Sequence, residues 1–244
     1  MTDLGVAPDG PRLIGRGRSA DVYDLENGLV LRRTSDPHYD AEGEAHAMRL
    51  AASAGVPAPR VHRVAGRDLI MERVAGPTML EDLVAHPEHV DRHAATLADL
   101  HRRLDAVVID DPEAMAMGRR PVASGTPVGL IHGDLHPANV MLSNTGPVLI
   151  DWTNYRIGPR GVDLAITWIV LECFGHDALA AAGVSAAIRA ALVHRFLAEV
   201  EHARAVVGLP AAIEIRRADP ATGPVEQRCL QRLSSRASRV CGSC

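Results

Sequence analysis

Short apolar runs separated by turn residues fill the first third of the chain. Such runs start at Leu13, Asp21, Leu29, Val61 and Leu69, and the run from Asp21 alternates between polar and apolar positions. Asn27-Gly28 is a two-residue hairpin signal, and Gly66-Arg67-Asp68 separates the last two runs. Between the third and fourth runs, helical spacing of apolar residues predicts a helix that Gly55 ends, through Ala41, Ala45, Met48 and Ala52. The pattern therefore predicts five strands and one helix.

Helical periodicity dominates the remainder of the chain. A stripe of residues predicts one amphipathic helix, formed by Val90, Ala94, Leu97, His101 and Leu104. The segment that opens at Val162 and runs to about Phe174 is apolar nearly all round, so we expect a buried helix there. Ser185 caps a further long helix that Pro210 is expected to end. A short helix is expected over Pro224–Leu233, and disorder from about residue 234.

The densest cluster of chemistry lies in residues 131–151, IHGDLHPANVMLSNTGPVLID. A polar loop, residues 132–139, is followed by two short apolar runs around the turn at residues 143–146. If those runs pair as a hairpin, they bring Asp134, Asn139 and Asp151 together. Carboxylate and amide oxygens are suited to Mg²⁺ held between protein and phosphates. The spacing is typical of kinase-type phosphoryl transfer.

The string HGDLHPAN followed by IDW resembles the aminoglycoside phosphotransferase and choline kinase family of the kinase-like superfamily. This resemblance implies an α+β, bilobal protein-kinase-like fold. A small N-terminal lobe with an antiparallel sheet and one helix would cover residues 1–74, and a larger, mainly helical lobe residues 75–244. It also implies ATP-dependent phosphorylation of a hydroxyl group on a small molecule, with GTP as an alternative donor.

The resemblance assigns roles to individual residues of the second lobe. Asp134 would orient the acceptor hydroxyl and take its proton, while Asn139 and Asp151 would hold Mg²⁺. His132 would support the catalytic loop from behind. Asp163, in the Gly-x-x-x-x-Asp-Leu-Ala pattern, would brace the backbone of that loop. A plain charge at a helix N-terminus is the alternative for Asp163.

Further roles fall on the first lobe. Its glycine-containing loop would cover the nucleotide, with Ala20 at the place of the third glycine, and backbone groups near the lobe junction would bind adenine. Arg32 stands where the family has a phosphate-contacting Lys, and Glu44, thirteen residues before Pro57-Ala58-Pro59, would pair with it. Glu42 is the rival candidate for that pairing. The expected nucleotide-binding residues are Gly15, Gly17, Ser19, Arg32, Glu44, Glu72 and Val74.

Composition narrows the class of protein. The chain has 244 residues, a formal charge of −4 and 26 basic residues, all of which are Arg. This balance gives no reason to expect nucleic acid, and no apolar run approaches a membrane span, so we expect no membrane and a cytoplasmic location. Cys173 is expected to be a small core residue, and Cys241-x-x-Cys244 is weak evidence for a metal site.

The acceptor stays open at this stage. A choline type of substrate calls for an aromatic cage, and few aromatic residues after Asp151 could form one, namely Trp152, Tyr155, Trp168 and Phe174. A protein acceptor is disfavoured because no Ala-Pro-Glu segment follows Asp151. A different class, a pseudokinase that binds nucleotide without turnover, is compatible with Ala20 and Arg32. The oligomeric state is not readable from the sequence.

Overall fold

The first 72 residues contribute an antiparallel sheet and one helix. The computed structural model describes residues 11–17, 19–109, 128–173, 183–219 and 222–241, with side chains of the last helix up to Ser235. Five strands of the described chain pair in the order β1-β2-β3-β5-β4, and α1 follows the third of them. Their bounds are β1 Arg12–Arg16, β2 Ala20–Asp24, β3 Leu29–Thr34, α1 Glu42–Ser53, β4 Val61–Ala65 and β5 Asp68–Glu72.

The predicted strands and helix of this part are therefore confirmed. The sequence pattern predicts this helix over residues 37–54, whereas α1 begins at Glu42; its Ala45 and Met48 are buried. Its buried face also carries Glu44, which is 1% exposed. A carboxylate this deeply buried requires a polar partner, since an isolated buried charge is strongly unfavourable.

The following residues form helices around two small strand pairs. Strand β6 pairs with β9, and β7 pairs with β8, both antiparallel. The bounds are α2 Met79–Ala85, α3 Val90–Asp105, β6 Val128–Ile131, β7 Val140–Ser143, β8 Gly146–Leu149, β9 Arg156–Pro159, α4 Arg160–Cys173, α5 Ala186–Glu199, α6 His202–Arg217 and α7 Pro224–Cys241.

Helix α4 is the buried centre of this helical part. Apart from its first two residues and Glu172, its residues are buried, as its apolar sequence predicts. Helix α6 crosses it where two glycines meet: a Cβ on Gly208 would lie 2.1 Å from the carbonyl oxygen of Gly161. Only glycine allows the two backbones to approach so closely at this crossing. The contact fixes the position of α6 against the start of α4.

The single long helix predicted from Ser185 to Pro210 is wrong. Ser185 does cap a helix, accepting a hydrogen bond from the Ile188 amide at 3.2 Å, but the chain turns extended at Val200. Pro210 lies inside the next helix, α6, instead of ending the first. Val207, which helical spacing would place on the apolar face of that single helix, is 75% exposed.

Two other expectations about the C-terminal region are corrected. Cys173 is buried as predicted, but it is bonded to Cys229 in a disulfide that joins α4 to α7. Helix α7 continues to Cys241, so the disorder expected from about residue 234 is replaced by helix up to that point. No helix in the described residues is both long and apolar enough to cross a membrane. Residues 110–126, whose prolines and glycines predict a loop, lie outside the described residues.

Candidate active site

The hairpin of β7 and β8 positions the central residues of the site. Val140 pairs with Leu149, and the amide of Ile150 donates to the carbonyl of Asn139 at 2.9 Å. The residues on either side of the hairpin, Asn139 and Asp151, are therefore held next to each other. The turn of 3₁₀ helix over Pro137–Asn139 leads into β7, and a second such turn over Trp152–Asn154 follows Asp151.

Asn139 binds back to the polar loop that precedes it. Its Nδ2 atom donates to the Asp134 carbonyl at 2.9 Å and lies 3.3 Å from the Asp134 carboxylate. The same nitrogen lies 3.2 Å from Nε2 of His136. Because the carbonyl and carboxylate of Asp134 engage the amide nitrogen, the amide oxygen of Asn139 is the atom that a cation could bind.

Three basic side chains lie near the Asp134 carboxylate. Burial acts to raise its pKa, but His136, whose Nε2 atom is 3.7 Å away, and the more distant Arg216 and His132 together lower the pKa of Asp134 to about 2. Nη1 of Arg216 lies 4.0 Å from Oδ1 of Asp134. Asp134 is therefore a carboxylate, able to accept a hydrogen bond from a hydroxyl, at any ordinary pH.

Asp163 binds the backbone of the loop that contains Asp134. Its two oxygens accept hydrogen bonds from the amides of His132 at 3.1 Å and Gly133 at 2.9 Å. Gly133 has a φ of +80°, and a Cβ there would lie 2.3 Å from the Asn154 carbonyl oxygen, so the position requires glycine. Burial raises the pKa of Asp163 to about 7, against the two amide hydrogen bonds, which lower it.

His132 is fully buried behind the hairpin. Its Nε2 atom lies 3.1 Å from the carbonyl oxygen of Ile150, and its ring meets the edge of Trp152 with centroids 4.8 Å apart. Burial lowers the pKa of His132 to about 4, so the ring is neutral near pH 7. A neutral ring with Nε2–H donating to Ile150 links the loop to the end of β8.

Arg32 connects the five-stranded sheet to the segment that follows the hairpin of β7 and β8. From β3, its Nη1 atom donates to Glu44 at 3.1 Å, and its Nη2 atom donates to Asp151 at 3.2 Å and to Thr153. Glu44 also accepts a hydrogen bond from the Tyr39 hydroxyl at 3.0 Å. The pairing expected between Arg32 and Glu44 is present, whereas Glu42, the rival, pairs with Arg49 instead.

Asp151 has an unusual backbone conformation. Its φ of 60° places it in the left-handed region, which residues other than glycine seldom adopt, and its side chain is 41% exposed. Thr153 donates to its Oδ1 atom at 2.6 Å. Such a conformation persists only where the surroundings enforce it, and it turns a partly solvent-accessible carboxylate toward Arg32.

The remaining predicted residues lie along the first sheet. Gly15 is in β1 opposite Val22, and the Gly17 amide donates to the Ala20 carbonyl at 2.8 Å, while Ser19 precedes β2. At the far end of the sheet, the Glu72 amide donates to the carbonyl of Arg60, which immediately precedes β4, and Val74 follows β5. Their roles toward a nucleotide stay predictions.

Three contributors were not identified from the sequence: His136, Thr153 and Arg216. His136 and Thr153 lie within or beside the motif, so a local signal existed. Arg216 comes from α6, far along the chain. Its side chain is 5% exposed, and its Nη2 atom lies 2.8 Å from Oε1 of Glu226. No spacing rule connects it to Asp134.

The chain matches a known sequence family and known structures. Residues 11–121 and 112–207 match the model of the Phosphotransferase enzyme family. An amicoumacin kinase, solved in complex with AMP-PNP, Ca²⁺ and Ami, superposes with a TM-score of 0.55 and 13% identity, covering 95% of this chain and 89% of that chain. At this identity the likeness concerns the fold.

Two archaeal proteins are similar in sequence. A probable bifunctional tRNA threonylcarbamoyladenosine biosynthesis protein of Methanocorpusculum labreanum is 24% identical over 225 residues, 86% of this chain. A probable serine/threonine-protein kinase BUD32 homolog of Archaeoglobus fulgidus is 28% identical over 150 residues, 59% of this chain. The match spans 36% of the length of the first relative and 59% of the second.

Proposed function

Since the chain belongs to the phosphotransferase enzyme family, with the protein-kinase-like fold expected from its motifs, we propose that it transfers the γ-phosphoryl group of ATP to a hydroxyl group of a small molecule. The observation that carries the proposal is the convergence of Asp134, Asn139, Asp151 and Arg32, described above, at one hairpin. The division into lobes at residue 74 and the roles of these residues belong to the proposal.

The donor set fits a divalent cation bound to phosphates. The amide oxygen of Asn139 and the carboxylate of Asp151 are hard ligands of the kind Mg²⁺ prefers, and Arg32 adds a fixed positive charge beside them. When bound, Mg²⁺ would neutralise charge on the phosphates of ATP. The amicoumacin kinase structure, with its AMP-PNP and Ca²⁺, supports a nucleotide and a divalent cation here, and GTP is the alternative nucleotide.

Asp134 is proposed to act on the acceptor hydroxyl. The hydroxyl proton passes to a carboxylate oxygen of Asp134, the acceptor oxygen forms a bond to the γ-phosphorus, and the bond from that phosphorus to the bridging oxygen of ADP breaks. A carboxylate with a pKa of about 2 is a weak base, which suits a loose transition state in which the proton moves late. Positioning of the hydroxyl is then its main contribution.

Choline-type acceptors find little support in the structure. The aromatic residues described after Asp151 are Trp152, Tyr155, Trp168 and Phe196, and every one of them is buried in the core. An aromatic cage for a quaternary ammonium group requires exposed ring faces. The described residues after Asp151 therefore offer no such cage, and the choline alternative is the weaker one in this proposal.

A protein acceptor is a second candidate. One of the similar archaeal proteins is a probable serine/threonine-protein kinase, and a serine or threonine hydroxyl would be oriented by Asp134 in the same way. The absence of an Ala-Pro-Glu segment after Asp151 argues against it. The pseudokinase alternative requires that the intact cluster bind nucleotide without turnover.

The test compares the wild type with Asp134→Asn and with Asp99→Asn, an equivalent exchange on the exposed side of α3. ADP formation is measured with Mg²⁺ and ATP against panels of hydroxylated metabolites, antibiotics and Ser/Thr peptides, and ATP binding is measured by calorimetry. We expect Asp134→Asn to bind ATP and to lose at least about 100-fold in turnover, with Asp99→Asn unchanged. Full turnover in Asp134→Asn would remove Asp134 from its role.

The same assay separates the classes of function. Mass spectrometry of the acceptor shows whether a small molecule or a peptide carries the phosphate. ATP binding by the wild type without Mg²⁺-dependent ADP formation, across all the panels, would favour the pseudokinase instead.

A further inference from the structure

A second cluster of chemically active side chains lies at the junction of α2 and α3. The Oδ2 atom of Asp82 is 2.8 Å from Nδ1 of His89 and 2.7 Å from Nε2 of His93. These three ligand-type atoms all lie within 4.8 Å of one another. The catalytic proposal uses none of the three residues.

The local fold explains why they converge. His89 ends the 3₁₀ turn Pro87–His89 and immediately precedes α3, and His93 lies one helical turn later, so that both imidazoles occupy one face. Asp82 comes from α2, which leads into this turn. The Thr78 capping box fixes the start of α2, through reciprocal hydrogen bonds between Thr78 and Glu81.

The cluster has a buried floor and an accessible mouth. The side chain of His93 is 1% exposed and that of Asp82 is 15% exposed, whereas that of His89 is 30% exposed. A site of this form can be reached by a solvated ion, which would replace the hydrogen bonds between Asp82 and the two imidazoles.

The chemistry of the donors is different from that of the catalytic cluster. Two imidazole nitrogens and one carboxylate oxygen form a ligand set typical of Zn²⁺, and the His-x-x-x-His spacing is common in zinc sites. Asn139 and Asp151 offer only oxygen, which suits Mg²⁺. We propose that Asp82, His89 and His93 bind a Zn²⁺ ion at the α2–α3 junction.

A fourth ligand is available nearby. The side chains of His86 and Glu88 place their ligand atoms within 4.8 Å of those of His89, and both side chains are more than half exposed. A water molecule, or either of these side chains after a change of rotamer, would complete a tetrahedral site. Arg92 also donates to Asp82 at 3.1 Å, but its side chain is 59% exposed, so solvent can receive the guanidinium when the ion binds.

Zinc at this place would fasten α2 to α3. Just before α2, the Pro77 carbonyl accepts a hydrogen bond from the Leu142 amide at 2.8 Å, and Thr78 bridges to Met141 of the catalytic hairpin. The ion would therefore stabilise a segment that packs against the hairpin, without touching the residues assigned to phosphoryl transfer. Binding to the folded state alone raises the melting temperature, and the rise grows with the logarithm of the free Zn²⁺ concentration once that exceeds the Kd.

The test is a zinc titration of the full chain after removal of any affinity tag. The protein is stripped with a chelator and dialysed, and Zn²⁺ is titrated in competition with a chromophoric chelator in millimolar Mg²⁺, which saturates the oxygen sites. We expect one Zn²⁺ per chain and a rise in melting temperature on binding. His89→Gln and His93→Gln should each weaken binding at least about tenfold.

Controls separate this site from others. His194→Gln, on the exposed side of α5, should bind Zn²⁺ as the wild type does, and so should Cys241→Ser/Cys244→Ser, which removes the thiols of the C-terminal end. If His93→Gln does not fold because His93 is buried, the partly exposed His89→Gln decides. Unchanged affinity in His89→Gln, or loss of the ion with the two cysteines, would overturn the proposal.

Discussion

The Nη2 atom of Arg32 lies 3.2 Å from the Oδ1 atom of Asp151, so a cation on the first sheet contacts the carboxylate at the end of the catalytic hairpin. The same guanidinium holds Glu44 with its other terminal nitrogen. One planar side chain therefore joins the sheet, helix α1 and the hairpin, an arrangement that the compact ammonium group of lysine could not reproduce with fixed directions.

Removing the cation should cost stability through Glu44. Arg32→Met is expected to lower the free energy of unfolding by about 3–5 kcal/mol, because it leaves a buried carboxylate without its ion-pair partner. The double variant Arg32→Met/Glu44→Leu should recover part of that loss. Urea titrations of both single variants and the double variant measure the coupling. Losses that simply add would show that the two side chains act independently.

Arg216 should tune Asp134 in addition to pairing with Glu226. Arg216→Met/Glu226→Leu replaces the buried pair with apolar side chains and removes one cation near Asp134. The pKa of Asp134 should then rise from about 2, since the Arg216 charge is one of the groups that lower it. We expect the acid limb of the pH–rate profile to move to higher pH. Glu226→Gln, which retains Arg216, is the control. An acid limb at the same pH in both variants would make Arg216 purely structural.

Buried His101 should make the fold sensitive to acid. Burial, with His132 and Arg204 nearby, lowers the pKa of His101 to about 3. An imidazole whose folded pKa is below its unfolded value contributes stability fully above pH 6.5 and loses it as pH falls from 6.5 toward 3, by about 1.4 kcal/mol per pH unit. His101→Gln, which keeps a donor for Thr167, should flatten this slope.

The contribution of His101 must be taken from the difference between wild type and His101→Gln. The reason is that Asp163 changes the stability with pH in the opposite direction. Its pKa is raised to about 7, so its contribution to stability falls as pH rises from about 4 to 7. Denaturant midpoints of wild type and His101→Gln between pH 7 and 5 give the difference. Parallel pH dependences would contradict the assignment.

The Cys173–Cys229 disulfide should be measurable and stabilising. It closes a segment with a sequence separation of 56 residues between α4 and α7, for which about 2–4 kcal/mol is typical. Reduction, or Cys173→Ala/Cys229→Ala, should lower the melting temperature, and peptide mass spectrometry after alkylation should identify the bonded pair. The equivalent exchange of Cys241 and Cys244 should change little. Disulfides are uncommon in reducing compartments such as the cytoplasm, so the protein should be prepared under oxidising conditions. Two free thiols at positions 173 and 229 in such a preparation would contradict the disulfide.

Local patterns predicted the parts of the molecule where each residue's neighbours are close in sequence. Alternation and Asn27-Gly28 gave the first sheet, and the turn at residues 143–146 gave the hairpin that places Asn139 beside Asp151. The pairing of Arg32 with Glu44 was expected from the family resemblance, which locates the glutamate thirteen residues before Pro57-Ala58-Pro59.

Long-range packing decided the features that the patterns missed. Strand β9 contains Gly158 and Pro159 and has no strand signal of its own; it exists because β6 offers it a partner. The helical spacing of apolar residues continues through Val207, so periodicity alone predicted a single helix. The chain in fact breaks at Val200, and Val207 is exposed. Arg216 reaches Asp134 only after α6 packs on α4 through Gly161 and Gly208, which no local rule could anticipate.

Arg32 also has a practical consequence for detecting this protein. Reactive acyl nucleotides label kinases by acylating an amine beside the bound phosphates, and the chain has no lysine to be acylated. A guanidinium stays protonated and is not nucleophilic at neutral pH, and Arg32 is 5% exposed. Chemical surveys of kinases that depend on amine labelling would leave this protein unmarked, however abundant or active it is.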